Sequence, residues 1–309
     1  MSGALLITGA NGFLGRRCVE RFAQSGKDVV AVWHNNDSHV GKPDPANIRY
    51  ERCDLTDSEA VKALFTKLRI ESVLHTAAVL LDGKAGFLHR AVLSNVLATA
   101  NLAEAAADIG CRQFVYCSSI SVYEDLPYDA QGWTENVHVQ PKSYYGWSKY
   151  AGEECVRLVC GMSFLRGIAL RLAGIHGSGR MSGCVYHMMR AAARGEPVMV
   201  NSARQRFQLL FIEDAVDALQ AVFGAEMPES FQCMNIASHL VPKLSDLAER
   251  IIDISDSRSE IRFGNTIPGG EQIMNVDSMM RRLAPESPSL DSRLRHIHSN
   301  FSKVAEHGG

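Results

Sequence analysis

Residues 4–15 read ALLITGANGFLG, a short apolar run that breaks into three glycines, Gly9, Gly12 and Gly15. A helical pattern follows through residue 24, with Phe13, Cys18, Val19 and Phe22 recurring at helical spacing. Gly26 then stands where a helix C-terminus takes glycine. A lone glycine triplet carries little. Between a strand and the opening of a helix it reads as a phosphate loop, because a phosphate must reach backbone N–H groups with no Cβ in the way. The helix N-terminus adds a partial positive charge at the same spot. A tight strand-to-helix turn with no ligand is the competing reading.

The same alternation continues downstream. DVVAVW (residues 28–33) reads as a second strand, and NIRYERCDL (47–55) holds a third with Asp54 at its end. Residues 58–68 are helical, SVLHTAA (72–78) is a fourth strand, LSNVLATANLAEAAADIG (93–110) a helix and QFVYCSS (113–119) a fifth strand. Strands that are continuous apolar runs, alternating with helices, indicate a parallel sheet covered on both faces. Right-handed crossovers make it a doubly wound, Rossmann-like α/β fold, with ligands at the carboxyl ends of the strands. Gly9, Asp54, Ala77 and Ser119 fall there. After residue 173 the pattern loosens into a smaller, irregular α/β substrate lobe. The expected division is residues 1–172 plus about 205–238 for the dinucleotide-binding domain, with 173–204 and 239–309 for the lobe. RFQLLFIEDAVDALQAVF (206–223) and FQCMNIAS (231–238) read as a return to the main sheet, and the polar end, 298–309, as fraying.

The 309 residues are 46% hydrophobic and 21% charged with a net charge of −2, which gives no electrostatic case for nucleic acid or an anionic membrane. The apolar runs are strand-length, far short of a membrane span, and the N-terminus lacks a basic segment followed by a long apolar one. Eight cysteines are scattered without a Cys-x-x-Cys. They read as reduced, buried thiols of a cytoplasmic protein, and no histidine cluster has metal-ligand spacing.

Tyr145 and Lys149, in YYGWSKYAGE (144–153), lie one turn apart on one helix face. A solvated surface pair is one reading. The other is chemical: an ammonium near a phenol favours the phenolate and lowers its pKa, so the tyrosine can exchange a proton while hydride moves to or from nicotinamide. Ser119, at the end of the fifth strand, is placed to hydrogen-bond the same oxygen, with Ser121 beside it. The second strand ends in VWHNN (32–36), with no carboxylate until Asp37. An acidic residue there would repel a 2′-phosphate. Its absence, with Arg16, His34 and the asparagines near, favours NADP(H) within a general NAD(P)(H) expectation.

These motifs resemble the extended short-chain dehydrogenase/reductases, the NAD-dependent epimerase/dehydratase family. The likeness runs through TGANGFLG, CDLTD, VLHTAAV, NVLATANLAEAA, YCSSISVYE, QPKSYYGWSKYAGE, LRLAGIHGSGR and FIEDAVDAL, almost the whole chain. It implies Tyr145 as acid/base, Lys149 on the nicotinamide ribose and the tyrosine, and Ser119 as polarising hydroxyl. It further implies Gly9, Asn11, Gly12, Phe13, Leu14 and Gly15 along the pyrophosphate. Asp54 and Leu55 would flank adenine, Ala77 and Ala78 the middle of the cofactor, and Asn95 would support the site from the next helix. It also implies a homodimer formed by pairing helices near 93–107 and 145–159.

The reaction is read from departures. Dehydratases of this family carry Asp-Glu just after the catalytic hydroxyl, where this chain has Ile120 and Ser121, which argues against 4,6-elimination. Gly174 stands where sugar-nucleotide members place an asparagine, and Phe207 occupies an expected arginine slot. Arg180, Arg204 and Arg206 remain as candidates for an anionic substrate. His75 reads as a packing residue and His176 as a lining one, and residues 124–142 as a wall or lid beside the cleft. The leading expectation is an epimerase or 4-keto-reductase acting on a sugar, foremost a nucleotide-sugar. An NADPH-dependent reductase of a non-sugar carbonyl and a non-catalytic cofactor sensor are the alternatives.

Overall fold

The computed structural model describes residues 3–34, 45–80, 85–124, 126–127, 129–201, 205–264, 271–284 and 288–306. The first half runs β1 (Ala4–Thr8), α1 (Phe13–Gln24), β2 (Val29–Trp33), β3 (Ile48–Arg52), α2 (Ser58–Lys67), β4 (Ile70–His75), α3 (Phe87–Ala91), α4 (Ala98–Asp108) and β5 (Gln113–Ser119). The second half runs α5 (Tyr144–Gly161), β6 (Arg166–Leu172), β7 (Ile175–His176), α6 (Cys184–Ala193), β8 (Val198–Val200), β9 (Leu210–Phe211), α7 (Ile212–Gly224), β10 (Phe231–Ile236), α8 (Leu244–Ile254), β11 (Ile261–Phe263), α9 (Asp277–Leu283) and α10 (Leu290–Glu306).

Seven parallel strands form the central sheet in the order β10-β6-β5-β4-β1-β2-β3. Strand order reverses between β1 and β4, and there the β1, β4 and β5 carboxyl ends open a crevice. The apolar runs explain the layers. Ile7, Ala31, Leu74, Val115 and Leu170 feed one covering layer with α1 and α7, whereas Leu6, Val30, Val73, Phe114 and Ala169 feed the other with α2, α4 and α5. Each buried Val, Leu, Ile or Phe side chain contributes about 1.5–3 kcal/mol relative to exposure, so both faces are driven shut. A third core, containing Met188, Val198, Phe211, Leu247 and Leu294, belongs to α6, α8, α10 and the small strands between them.

Four sequence expectations shift. The fourth strand ends at His75, not residue 78, because the Thr76 hydroxyl turns back to donate to the Thr8 carbonyl at 2.7 Å and takes the backbone out of the ladder. The helix read from 93–110 begins at Phe87 and passes through a π-helical turn, Val92–Leu97, before α4. Residues 206–211 do not rejoin the main sheet. β9 pairs with β7 in a separate two-stranded ribbon, since β10 already occupies the free edge of β6. Of the segment 298–309 expected to fray, the described part is helical through Glu306, in a helix anchored by Leu290, Leu294 and Ile297 buried against the lobe, and residues 307–309 lie outside the described residues. All eight cysteines are free thiols. Among the described residues no helix is long and apolar enough to cross a membrane.

Candidate active site

The glycine turn is built by close approach. Gly9 sits at φ +65°, and a Cβ there would lie 2.9 Å from the Ala77 backbone nitrogen. A methyl on Gly15 would collide with the Gly9 carbonyl, so α1 lies against β1 only because residue 15 is glycine. The Gly12 N–H donates to the Gly9 carbonyl at 2.8 Å. Gly12 caps α1 with no side-chain bond, and no acidic residue follows in the first turn. These glycines leave a cradle that a Cβ would fill, with an uncapped helix end beside it, and a dinucleotide pyrophosphate fits it.

The cradle opens into a cleft of about 530 Å³. Its walls include Gly9, Asn11, Gly12, Phe13, Leu14, Gly15, His34, Ala77, Ala78, Ser119, Ser121, Tyr145, Lys149 and Arg180, which the fold brings together from six parts of the chain. Trp33, Thr76, Cys117 and Gly174 line it as well, and sequence reasoning did not single out the first three as wall residues. Their signal was positional, since Trp33 ends β2, Thr76 follows β4 and Cys117 lies two residues before the end of β5.

Other candidates fall elsewhere. Asn95 is buried in the π-helical turn, where it accepts from the Val79 N–H at 2.8 Å and donates to the Val79 carbonyl and the Ser148 hydroxyl, both at 3.0 Å. It ties the segment after β4 to α5 from outside the cleft. Asp54 accepts from the Thr56 N–H and hydroxyl, which hold its carboxyl below the usual range, and lies 3.7 Å from the His34 ring. Leu55 packs toward the core on the α4 side. Arg206 is engaged by Glu271, through its Nε at 2.8 Å and its backbone N–H at 2.9 Å, and does not line the cleft. Asn35, Asn36, Asp37 and Arg204 lie outside the described residues. The structure adds Arg52, the last residue of β3, paired with the end of β2, where its guanidinium lies over the Trp33 ring and donates to the His34 carbonyl at 3.2 Å. Sequence missed it because β3 meets β2 only after a long connection.

Tyr145 lies in the first turn of α5, which Ser143 caps by accepting from the Gly146 N–H at 3.0 Å. The Ser119 side chain stands beside the phenol as a polar neighbour that draws its pKa down. The expected lowering of its pKa by Lys149 is not what the structure displays. Burial pushes the phenol up to about 12, while the Ser119 side chain and the charge of Arg180 pull the other way. Lys149 is itself displaced down to about 8 by burial, and its ammonium rests over the Tyr116 ring, 4.4 Å from the centroid. Desolvation of both groups outweighs their mutual attraction.

Below the site is a buried polar scaffold. Arg171 of β6 grips Glu153 of α5 with two bonds, Nε at 3.0 Å and Nη2 at 2.8 Å, and Ser118 donates to the same carboxylate at 2.5 Å. Arg171 also donates to the Tyr123 hydroxyl, which donates in turn to Asn235 at 2.7 Å. His75 is fully buried between the Thr8 and Thr99 hydroxyls at 2.7 and 3.0 Å, the satisfied packing role its sequence context suggested. His176 is buried beside Gly183 and Phe207. Arg180 lies over Phe13 and borders a second cavity of about 520 Å³, formed with His176, Tyr186, Arg190 and Ile297 of the lobe.

Residues 5–237 match the NAD dependent epimerase/dehydratase family. The chain belongs to that family. This makes it an enzyme of the extended short-chain dehydrogenase/reductase class, similar to nucleotide-sugar 4-epimerases. It is 27% identical over 256 residues to a UDP-glucose 4-epimerase of Streptomyces lividans, spanning 81% of this chain and 70% of that one. It is 26% identical over 291 residues to a dTDP-4-dehydro-6-deoxy-D-allose reductase of a Streptomyces species, spanning 86% and 85%. Among solved structures, MoeE5 in complex with UDP-glucuronic acid and NAD superposes with a TM-score of 0.82 at 26% identity, covering 98% of this chain and 100% of that one.

Proposed function

We propose that the protein interconverts or reduces the C4 position of a nucleotide-sugar through Ser119, Tyr145 and Lys149. One observation carries this: the Tyr145 phenol, with Ser119 beside it and Lys149 one helical turn away, lines the same cleft as the Gly9–Gly15 cradle. The nicotinamide, when bound, supplies hydride exchange at the sugar carbon. This chain's residues handle the proton. At neutral pH a phenol with its pKa near 12 rests protonated, ready to donate to a C4 carbonyl oxygen. Ser119 orients that oxygen, and the Lys149 charge stabilises the phenolate left behind. In the reverse direction the same phenolate takes the hydroxyl proton. Ile120 and Ser121 follow the serine where dehydratases of the family carry Asp-Glu, which supports a reaction without elimination.

Arg180 is the side chain placed to meet the anionic half of the substrate, at the boundary between cleft and lobe cavity. Residues 1–172 with 205–238 then hold the cofactor, and 173–204 with 239–309 the distal part of the substrate. At the adenosine end, Arg52, Arg16 and His34 and the lack of a carboxylate before Asp37 support tolerance of a 2′-phosphate, hence NADP(H). The NAD bound by MoeE5 supports the alternative. Exposed Leu88, Val92 and Leu97 on one helix run, with Trp147 and Leu158 on α5 and Met162 just after it, support a homodimer through these helices. The free thiols support a reducing, cytoplasmic setting.

The test is a panel of UDP-, GDP-, dTDP- and CDP-sugars and their 4-keto forms, incubated with either cofactor and followed by product analysis. C4 inversion identifies the epimerase, and net consumption of NADPH or NADH identifies the reductase. Turnover of simple ketones alone would favour the non-sugar reductase, to which Gly174 and Phe207 lend support.

A further inference from the structure

The catalytic lysine assigned above sits on an aromatic face. Tyr116, fully buried in β5, lies directly beneath Lys149 and is flanked by the His75 ring, 5.6 Å centroid to centroid. Helix α5 rests on that ring. A methyl at Gly152 would collide with the Tyr116 hydroxyl, so only glycine lets the preceding turn, with Lys149, settle over it.

Lys149 is 2% exposed, so its ammonium has lost nearly all of its water. The groups around it balance that charge only in part. Glu153, one turn along α5, raises the Lys149 pKa through its charge, but its carboxylate is already held by two bonds from Arg171 and one from Ser118. The Cys117 thiol of β5 and the Tyr145 phenol are protonated at neutral pH, each with a pKa near 12. His75 of β4, whose pKa is near 3, is neutral between two threonine hydroxyls. What remains under the ammonium is the negative face of an aromatic quadrupole, an attraction that grows when the cation is desolvated. We propose that Tyr116 is a positioning residue, whose ring face holds Lys149 charged and directed into the cleft. It does so without touching substrate or cofactor, and the proposal rests on the role given to Lys149 above.

The test replaces Tyr116 with Phe, with phenylalanines carrying one, two and three ring fluorines, and with Leu. Fluorines drain the ring face while keeping its shape, so the series keeps the fold even where Leu does not. Two readouts are compared. One is the pH dependence of Lys149 acetylation by trace acetic anhydride, read by mass spectrometry on the Lys149 peptide, which needs no substrate. The other is the pH profile of turnover. Tyr116→Phe is expected to titrate like the wild type. Each added fluorine lowers the Lys149 midpoint, reaching about one pH unit for the trifluoro ring and for Tyr116→Leu. Turnover loses its high-pH limb by the same shift. A midpoint unchanged across the fluorine series would overturn the proposal, because a packing role would lower only the stability of Tyr116→Leu. If no substrate of the panel turns over, the function above fails, and the acetylation midpoints still decide the role of Tyr116.

Discussion

Lys149 and His75 show how burial sets charge one residue at a time. The Lys149 pKa near 8 means that its ammonium is lost as pH rises through that value. If the ammonium is the active form, turnover falls above about pH 8, one proton per site, and a pH–rate profile reads this directly. His75 behaves as a stability switch. Burial lowers its pKa from 6.5 to about 3, so the unfolded chain takes up a proton near pH 6.5 that the folded chain refuses until near 3. Stability is therefore fully present above 6.5 and declines as pH falls toward 3, by up to about 1.4 kcal/mol per pH unit. Urea titrations at pH 7 and 5 should show this loss. His75→Leu should be less stable at pH 7, having lost the hydrogen bonds to Thr8 and Thr99, yet show a shallower slope. The residual slope belongs to His176, which burial lowers to about 4. That Ser119, Tyr145 and Lys149 meet in one cleft was legible from spacing, but their protonation was not. An i,i+4 Tyr–Lys pair predicts attraction, whereas the pKa values follow from how deeply β5 and α5 bury them.

At the scale of elements, two contacts between distant segments decide whether the site exists. The first is α1 against β1. Gly15→Ala drives a methyl into the Gly9 carbonyl, so α1 must shift from the turn, and affinity for the dinucleotide should fall more than tenfold by titration. The second is α5 against β5 and β6 through Arg171, Glu153 and Ser118. Arg171→Met leaves the Glu153 carboxylate buried and unpaired, a cost of about 3–5 kcal/mol. Joint replacement of Arg171 and Glu153 by apolar residues should recover much of it in denaturant titrations. Here the sequence was informative to different depths. Alternating β and α segments were plain because apolar runs and glycine stops recur from residue 4 to 119. The π-helical turn at Val92–Leu97 left no mark on the apolar pattern. The β7–β9 ribbon was also hidden, since a two-residue strand has no periodicity to read. The Arg171–Glu153 grip joins residues 18 apart in sequence but adjacent across a helix and a strand, a relation that only the crossover geometry creates.

For the whole molecule, the parallel sheet supplies the crevice proposed for the cofactor and the lobe supplies what lies over it. Arg180 belongs to both, touching Phe13 of the cradle side and bordering the lobe cavity. Arg180→Ala should raise KM for an anionic sugar substrate tenfold or more, with a smaller effect on kcat. Equal losses in both would place Arg180 in the proton transfer through its charge near Tyr145. The central claim is that the Tyr145 phenol exchanges the proton at the reacting carbon within a dinucleotide cleft. Tyr145→Phe tests it most directly, with cofactor affinity measured by titration and turnover measured on the nucleotide-sugar that the wild type accepts. The predicted result is cofactor binding within about twofold of wild type, under 0.5 kcal/mol, with turnover reduced by about 10²–10⁴. Turnover equal to wild type in the phenylalanine variant would contradict it.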